Sequence, residues 1–443
     1  MPRSEMHLIH DDAVVCPPAR PVRRQERRLR KTRLILPEYS KSFRCIGPAC
    51  EDICCEGWNV TIDQATYEKY QTIPAGPLRV LIDANIVRTP ENAAGLPPAA
   101  FALVRLQPPL RVCPFLSAER LCQIQVEHGE SYLSKICSTF PRIQHTIDKQ
   151  LNTSLSLACP EAARLVLLNP GLLAESIKNA KQIALDEAAA DAIGPRSWFW
   201  PLREFALGLI RNRAYPLWQR MFLLGTFCRR LDAINHGKHG RGISALLRDF
   251  SAAVGSGSLR ASMETIPADL TLQLNILVEL VRLNVDSIQS SPRFHQSLKD
   301  FIKGALVENE TAMEMQVAQY ASAYQRYYAP FFEKYPYILE NYLINTIFRE
   351  LFPYGTMVFD TAAIQEPERQ YTLLATKFAL IKGLLIGVAG CHQEAFSAEH
   401  VVQAIQVVFK HFEHTPKHLD MAYQLLVSQK MDNARGLTML LRN

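Results

Sequence analysis

The spacing of apolar residues divides the chain into two parts. From about Glu161 onward, apolar residues recur at the three- and four-residue intervals of helices that bury one face. The windows with this pattern include Leu165 with Leu168, Trp198–Ile210, Leu217–Leu231, Leu270–Val285, Tyr337–Leu351, Tyr371–Val388 and Val401–Phe412. No strand–helix alternation with a glycine-rich first turn interrupts them. The pattern predicts an α-helical domain over residues 166–443 and argues against a doubly wound nucleotide-binding fold.

Residues 34–165 show a different pattern, with proline pairs, many cysteines and only short periodic stretches. The alternation in Trp58–Asp63 predicts a short strand or hairpin, and Thr66–Tyr70 and Gly129–Cys137 are expected to be short helices. So little continuous apolar pattern predicts a loop-rich domain that a metal centre would hold together. The fold class is therefore mainly α, with a cysteine-cluster domain that contains a little β at 34–165.

The net charge of +6 comes almost entirely from one segment near the N-terminus. An arginine-rich run between Arg20 and Arg33 is strongly basic, whereas the 410 residues after it are close to neutral. A neutral body argues against a nucleic-acid-binding surface, since such a surface must neutralise phosphates. We interpret residues 1–33 as a disordered basic extension.

Neither a membrane span nor a secretory signal is predicted. The longest apolar run, Phe378–Cys391, contains Lys382 and is shorter than the roughly 18 to 20 residues of a span, so we expect a buried helix. The N-terminus shows no apolar core before a small-residue cleavage site. These features predict a cytoplasmic protein, whose thiols stay reduced.

Eight of the eleven cysteines lie between residues 45 and 159. They are Cys45, Cys50, Cys54, Cys55, Cys113, Cys122, Cys137 and Cys159. Thiolate-rich sites select zinc or iron–sulfur clusters, and this concentration indicates metal binding rather than disulfides. The side chains of adjacent cysteines diverge, so Cys54 and Cys55 either bind a larger cluster than one zinc ion or supply only one ligand between them. Cys16, Cys228 and Cys391 lie outside the group and are expected to be inert.

The cysteine motifs carry a resemblance to a known family. They read FRCIGPACEDICCEGW, CPFL, LCQIQVEHGESYLSKICSTFPR and SLSLACPEAARL, and the likeness resumes at LENYLINTIFRELFPYG and ATKFALIKGLLIGVAG. The chain resembles the flagellin lysine-N-methylase family and, more loosely, cysteine-rich zinc- or iron-chelating domains. The resemblance implies a cytoplasmic enzyme that transfers methyl groups from S-adenosyl-L-methionine to flagellin lysines and holds an iron–sulfur cluster, of the 4Fe-4S type. It ranks Cys50, Cys54, Cys55, Cys122 and Cys137 ahead of the other three as ligands.

The reaction needs a neutral lysine amine, which desolvation or a nearby base can provide. In the C-terminal stretch of the resemblance, the catalytic candidates are Tyr337, Asn341 and Tyr342, and Asn341 shares a helix face with Tyr337. Trp58 and Arg142 are candidates for cofactor binding, as an apolar cover and as an anion contact. The radical-type spacing Cys-x3-Cys-x2-Cys is incomplete here, so radical and polar methyl transfer both stay open.

Two other functional classes fit the cysteines. A zinc-binding interaction module without catalysis would be colourless and would bind no methyl donor. An iron–sulfur electron-transfer protein would be coloured and redox-active but would transfer no methyl group. Flagellin is the expected protein partner, no membrane or nucleic acid is expected, and a homo-oligomer is compatible with the sequence.

Overall fold

A computed structural model describes the chain in ten segments. They are residues 33–35, 38–89, 100–147, 150–172, 199–235, 242–282, 291–307, 312–355, 366–414 and 416–443. Residues 1–32 of the predicted basic extension, which include Cys16, and the predicted helix end at 283–285 lie outside the described residues, whereas Arg33 is the first residue of a short strand. Within them, the predicted fold class is confirmed: the N-terminal part has short helices and two small sheets, and the C-terminal part is helical.

Short elements separated by turns build the N-terminal part. The strands are β1 Arg33–Ile35, β2 Thr61–Ile62, β3 Ile86–Arg88, β4 Ala102–Val104, β5 Arg142–Ile147 and β6 Gln150–Leu155. The helices are α1 Glu38–Ser42, α2 Gln64–Gln71, α3 Pro77–Asn85, α4 Gln123–His128, α5 Lys135–Thr139 and α6 Pro160–Leu167. Strands β2, β4 and β3 form one antiparallel sheet. In the other sheet, β6 pairs antiparallel with β5 and parallel with β1.

The predicted short elements are present with changed boundaries. The helix expected at Thr66–Tyr70 is α2, whose first turn is capped by the Asp63 carboxylate. The stretch expected to form one helix at Gly129–Cys137 is instead a 3-10 turn at Glu130–Tyr132 followed by α5. Ser134 separates the two because its hydroxyl accepts from the Cys137 amide and caps α5.

Thirteen helices follow in the described part of the C-terminal region. They are α7 Phe199–Arg211, α8 Leu217–Asn235, α9 Ile243–Ser256, α10 Arg260–Glu264, α11 Leu270–Arg282, α12 Pro292–Ala305, α13 Met313–Ala323, α14 Ala329–Lys334, α15 Tyr337–Arg349, α16 Pro367–His392, α17 Ala398–His414, α18 Pro416–Ser428 and α19 Ala434–Leu441. A π-helical turn, Tyr324–Tyr328, joins α13 to α14. Within the described residues, each apolar window named above overlaps one of these helices or α6.

Two separate hydrophobic cores divide the molecule differently from the predicted boundary at residue 165. The smaller core is built from residues between Val60 and Ile136. The larger core contains the C-terminal helices together with Tyr39, Phe43 and α6. Tyr39 donates a 2.9 Å hydrogen bond to Asn345, so the outer segments of the cysteine-rich region belong structurally to the helical body.

Helix α16 runs through the centre of the larger core. The segment Pro367–Ala395 is long and apolar enough to cross a membrane, but 83% of its most apolar window is buried inside the protein. Its glycines allow backbone contact with α12, because a Cβ atom on Gly387 would lie 2.4 Å from the Phe301 ring. The interpretation of this run as a buried helix is therefore confirmed.

Candidate functional site

The cysteine loop between Cys45 and Trp58 lies against the segment that carries Cys113. The Cys113 amide donates to the Cys55 carbonyl at 2.8 Å, and the Gly57 amide donates to the Arg111 carbonyl at 3.2 Å. Gly57 has φ of +88°, a conformation that residues with a Cβ atom rarely adopt. The glycine after the cysteine pair thus turns the chain and brings two distant cysteine motifs together.

The remaining cysteines are placed by helix starts. Cys122 and Cys159 are the residues that immediately precede α4 and α6, and Cys137 lies within α5. The exposed N–H groups and positive dipole ends of helix N-termini stabilise thiolates. The described fold therefore presents these thiols where a metal could stabilise their charged form.

Seven of the thiols form one electrostatic group. They are Cys50, Cys54, Cys55, Cys113, Cys122, Cys137 and Cys159, and the pKa of each is perturbed by at least one other member. Cys54 connects the group, since it interacts with the other six. Cys45 is exposed and its described contact is with the Gly47 amide. The fold thus brings together seven of the eight predicted ligands and leaves Cys45 at the margin.

Cys54 is the thiol most easily ionised in this group. A hydrogen bond with Cys55, aided by the charge of Lys410, lowers the pKa of Cys54 to about 7 and raises that of Cys55. Burial raises the pKa of Cys113 to about 11. Without a metal, the buried thiols are therefore protonated at neutral pH, and a metal would have to displace their protons.

The spacing of the thiols is wider than a single zinc ion requires. Zinc–sulfur bonds of about 2.3 Å in a tetrahedron place sulfur atoms about 3.8 Å apart. Among the described residues, no three cysteines have sulfur atoms within 4.8 Å of one another. A single zinc ion bound by three or more of these thiols would therefore require them to move closer together.

Of the two predicted cofactor-binding residues, Trp58 contacts the cysteine loop and Arg142 contacts Phe43. Trp58 is buried, its indole N–H donates to the Cys54 carbonyl at 2.5 Å, and its ring lies 5.3 Å from that of Phe140. Arg142 donates to the Phe43 carbonyl at 3.3 Å and covers the Phe43 ring. Trp58 contacts the cysteine loop, and the described contacts of Arg142 join strand β5 to the helical body. The cofactor-binding role of both residues stays a prediction.

Helix α17 of the helical body is hydrogen-bonded to the cysteine loop. The Asp52 carboxylate accepts 2.6 Å hydrogen bonds from both Lys410 and Gln406. Arg164 of α6 pairs with Glu51 on the same loop. The loop is therefore fixed by ion pairs to helices that the sequence analysis did not connect with it.

The three predicted catalytic residues lie along α15. The Asn341 amide donates to the carbonyls of Val166, Leu167 and Asn169, and so satisfies the last turn of α6. Tyr342 is fully buried, and Tyr337 packs beside the ring of Tyr335. These contacts join elements of the large core, and the catalytic role of the three residues stays a prediction.

A cavity of about 440 Å³ lies among helices of the helical body. Five aromatic residues line it, namely Trp218, Tyr324, Tyr328, Phe332 and Phe378. Two of them belong to the π-helical turn, which Pro330 favours because proline lacks the N–H that a regular helix needs. Its volume is typical of pockets that bind small molecules or side chains.

Charged residues fix the walls of this aromatic cavity. Lys382 of α16 is buried and donates to the Leu441 carbonyl at 2.5 Å and to Asn443. Burial lowers the pKa of Lys382 to about 7. Arg220, which also lines the cavity, is held by a 2.8 Å ion pair with the buried Glu340.

Sequence reasoning did not predict this cavity. Its lining residues come from helices distant in the chain, and only two signals pointed to it: Lys382 inside an apolar helix and the aromatic run YQRYY at 324–328. Neither signal shows which other aromatic rings would face them. The three-dimensional packing of α8, α14 and α16 supplies that information.

Comparisons with known proteins relate both parts of the chain to one group. Residues 203–440 match the model of the FliB lysine N-methylase C-terminal domain. The Lysine-N-methylase of Salmonella typhimurium is 26% identical over 365 residues, which cover 81% of this chain and 86% of that protein. The Flagellar biosynthetic protein FliU of Salmonella muenchen is 36% identical over 138 residues, 31% of this chain and 79% of that protein. No solved structure matches the chain.

Proposed function

Because the chain belongs to the FliB lysine N-methylase family and is a protein-lysine methyltransferase, we propose that it methylates lysines of flagellin with S-adenosyl-L-methionine as donor. The match over residues 203–440 is the observation that carries the proposal. The flagellar name of the Salmonella muenchen relative supports flagellin as the substrate. A cytoplasmic location follows from this role, since flagellin is made in the cytoplasm.

We further propose that the N-terminal cysteines hold an iron–sulfur cluster. Seven thiols that interact electrostatically, and sulfur spacings wider than those around one zinc ion, support this part of the proposal. Cys54, Cys113, Cys122 and Cys137 would hold the cluster, since each interacts with the other three. When bound, the cluster would cross-link the loops and could supply one-electron chemistry.

The aromatic cavity is the proposed place of methyl transfer. The methyl donor is a sulfonium cation, and aromatic faces attract cations. An amine inside this cavity is also shifted toward its neutral form, as the pKa of about 7 for Lys382 illustrates. The neutral nitrogen would attack the methyl carbon and form a nitrogen–carbon bond. The carbon–sulfur bond would break, and its electron pair would leave with the sulfur.

The first experiment is the visible spectrum and metal content of protein purified without oxygen, followed by a methyl-transfer assay on flagellin. We expect a brown protein that contains iron and sulfide, bleaches with dithionite and transfers methyl groups from the donor. A colourless zinc protein would overturn the cluster, and a coloured protein without methyl transfer would favour the electron-transfer alternative.

A pair of neighbouring phenylalanines tests the cavity. Phe332 lines it, with its ring 4.5 Å from that of Tyr328, whereas Phe331 packs on Phe396. Phe332→Ala should lower kcat/KM by about three- to thirty-fold, the range expected for one lost cation–π contact, and Phe331→Ala should have a much smaller effect. Equal effects of the two substitutions would contradict this location of the reaction.

A further inference from the structure

A group of metal-ligating side chains lies where α12 meets the end of α16, within the helical body. Asp300 comes from α12, and Cys391 and His392 are the last two residues of α16. The His392 Nε2 atom is 3.1 Å from Asp300 Oδ2, and the Cys391 sulfur is 4.0 Å from Asp300 Oδ1. One ligand atom from each residue lies within 4.8 Å of the other two, and in the described residues no other trio does so.

We propose that Asp300, Cys391 and His392 form a binding site for a borderline divalent cation of the Zn²⁺ type, distinct from the N-terminal cysteine centre. Cysteine sulfur, imidazole nitrogen and carboxylate oxygen are the ligand atoms that zinc prefers. The proposal departs from the expectation that Cys391 is inert.

The distances agree with tetrahedral coordination after small adjustments. Zinc bonds of about 2.0 to 2.3 Å place a nitrogen and an oxygen ligand about 3.3 Å apart, and a sulfur and an oxygen ligand about 3.6 Å apart. The observed separations are 3.1 Å to Asp300 Oδ2 and 4.0 Å to Asp300 Oδ1, so coordination through one oxygen requires the side chains to adjust. One ligand atom from each residue already lies within 4.8 Å of the other two. Neighbouring helix residues normally diverge, but here the Asp300 carboxylate contacts both Cys391 and His392. Three protein ligands leave the fourth position for water or an external ligand.

The backbone around these three residues is closely packed, and its electrostatic field favours a cation. Helices α12 and α16 are in backbone contact one turn away, where a Cβ atom on Gly304 would lie 2.5 Å or less from two backbone atoms of α16. The site also lies at the C-terminal end of a 26-residue helix, whose carbonyl groups attract positive charge.

Surrounding residues orient the ligands. The His400 ring stacks on His392 with 3.9 Å between centroids, and the amide and hydroxyl of Ser397 lie 3.1 and 3.0 Å from His400 Nδ1. The Gln296 amide donates to Asp300 at 2.8 Å. Such outer contacts fix the ring orientation and carboxylate position that a metal site needs.

The test is a titration of the full-length protein with Co²⁺, a coloured substitute for Zn²⁺, after the N-terminal centre has been loaded with iron. We expect one further equivalent of Co²⁺ with a sulfur-to-metal charge-transfer band. Asp300→Asn, Cys391→Ser and His392→Gln should each weaken Co²⁺ binding at least ten-fold, and Cys391→Ser should remove the charge-transfer band.

The matched control is His295→Gln, because His295 is exposed on the same helix α12 as Asp300 and should leave Co²⁺ binding unchanged. Zn²⁺ should also raise the Tm of the wild type and the control, but not that of His392→Gln. Three ligand variants are used so that the test still holds if one of them fails to fold. The same extra equivalent and the same band in all three ligand variants would overturn the site. Because the readout is metal binding, this outcome would leave the proposed methyl transfer unaffected.

Discussion

The N-terminal cysteine domain and the C-terminal helical body are stabilised in different ways. The small core between Val60 and Ile136 is surrounded by loops, and its cysteines are brought together by turns and helix starts. The large core joins most of the described helices and includes the long buried helix α16. A domain with a small core depends on cross-links or metals, whereas a large core is stable by burial alone. We therefore expect metal removal to destabilise the cysteine domain and core substitutions to destabilise the helical body.

Removal of one of the proposed ligand thiols should have the largest effect, and the effect should be confined to the cysteine domain and its activity. Cys122→Ala should abolish metal binding and methyl transfer together, because Cys122 is one of the four proposed ligands and interacts with Cys54, Cys113 and Cys137. Iron analysis and segment-resolved hydrogen exchange would measure the change. We expect faster exchange in residues 45–140 and unchanged exchange in α16.

The control for this substitution is Cys228→Ala, in the fully buried core of the helical body. It should lower stability but keep the iron and the activity per folded molecule. Iron retained in Cys122→Ala, or lost in Cys228→Ala, would show that the ligands are grouped differently.

The same division explains what the sequence could predict. The cysteine spacing identified the metal-binding region, and the periodicity identified the body, since both are local properties. The ion pairs from Asp52 to Lys410 and from Arg164 to Glu51 join residues far apart in sequence, and no local pattern contains them. Asn341 shows the same limit: its position on a helix face suggested chemistry, whereas tertiary packing gives its amide the carbonyls of α6.

A buried ion pair in the body should have the next largest effect. Glu340 is fully buried and pairs with Arg220 and with Arg213. Glu340→Gln would leave the buried Arg220 without a carboxylate, so we expect the free energy of unfolding to fall by about 3 kcal/mol. Urea denaturation followed by circular dichroism would measure it.

Glu264 provides the matched control, since it pairs with Arg442 on the surface with 58% of its side chain exposed. Glu264→Gln should cost less than about 1 kcal/mol. If the two substitutions cost the same, burial of the Glu340 pair would not determine its contribution. Iron content should be unchanged in both variants, because the effect is confined to the body.

Lys382 should give a pH dependence of the body, which per pH unit is smaller than the loss expected for Glu340→Gln. Burial lowers its pKa from 10.5 to about 7, so between these values the unfolded chain binds more protons than the folded protein. Stability from this group should therefore rise with pH across that window by up to about 1.4 kcal/mol per unit, and should not change below pH 7. Lys382→Met should remove this contribution. The slopes of wild type and variant would be compared by urea denaturation between pH 7.5 and 9.5, with the exposed Lys303→Met as a control that keeps the wild-type slope. Equal slopes in the wild type and Lys382→Met would mean that the Leu441 carbonyl and Asn443 keep Lys382 charged in the fold, and the aromatic cavity would then not favour a neutral amine.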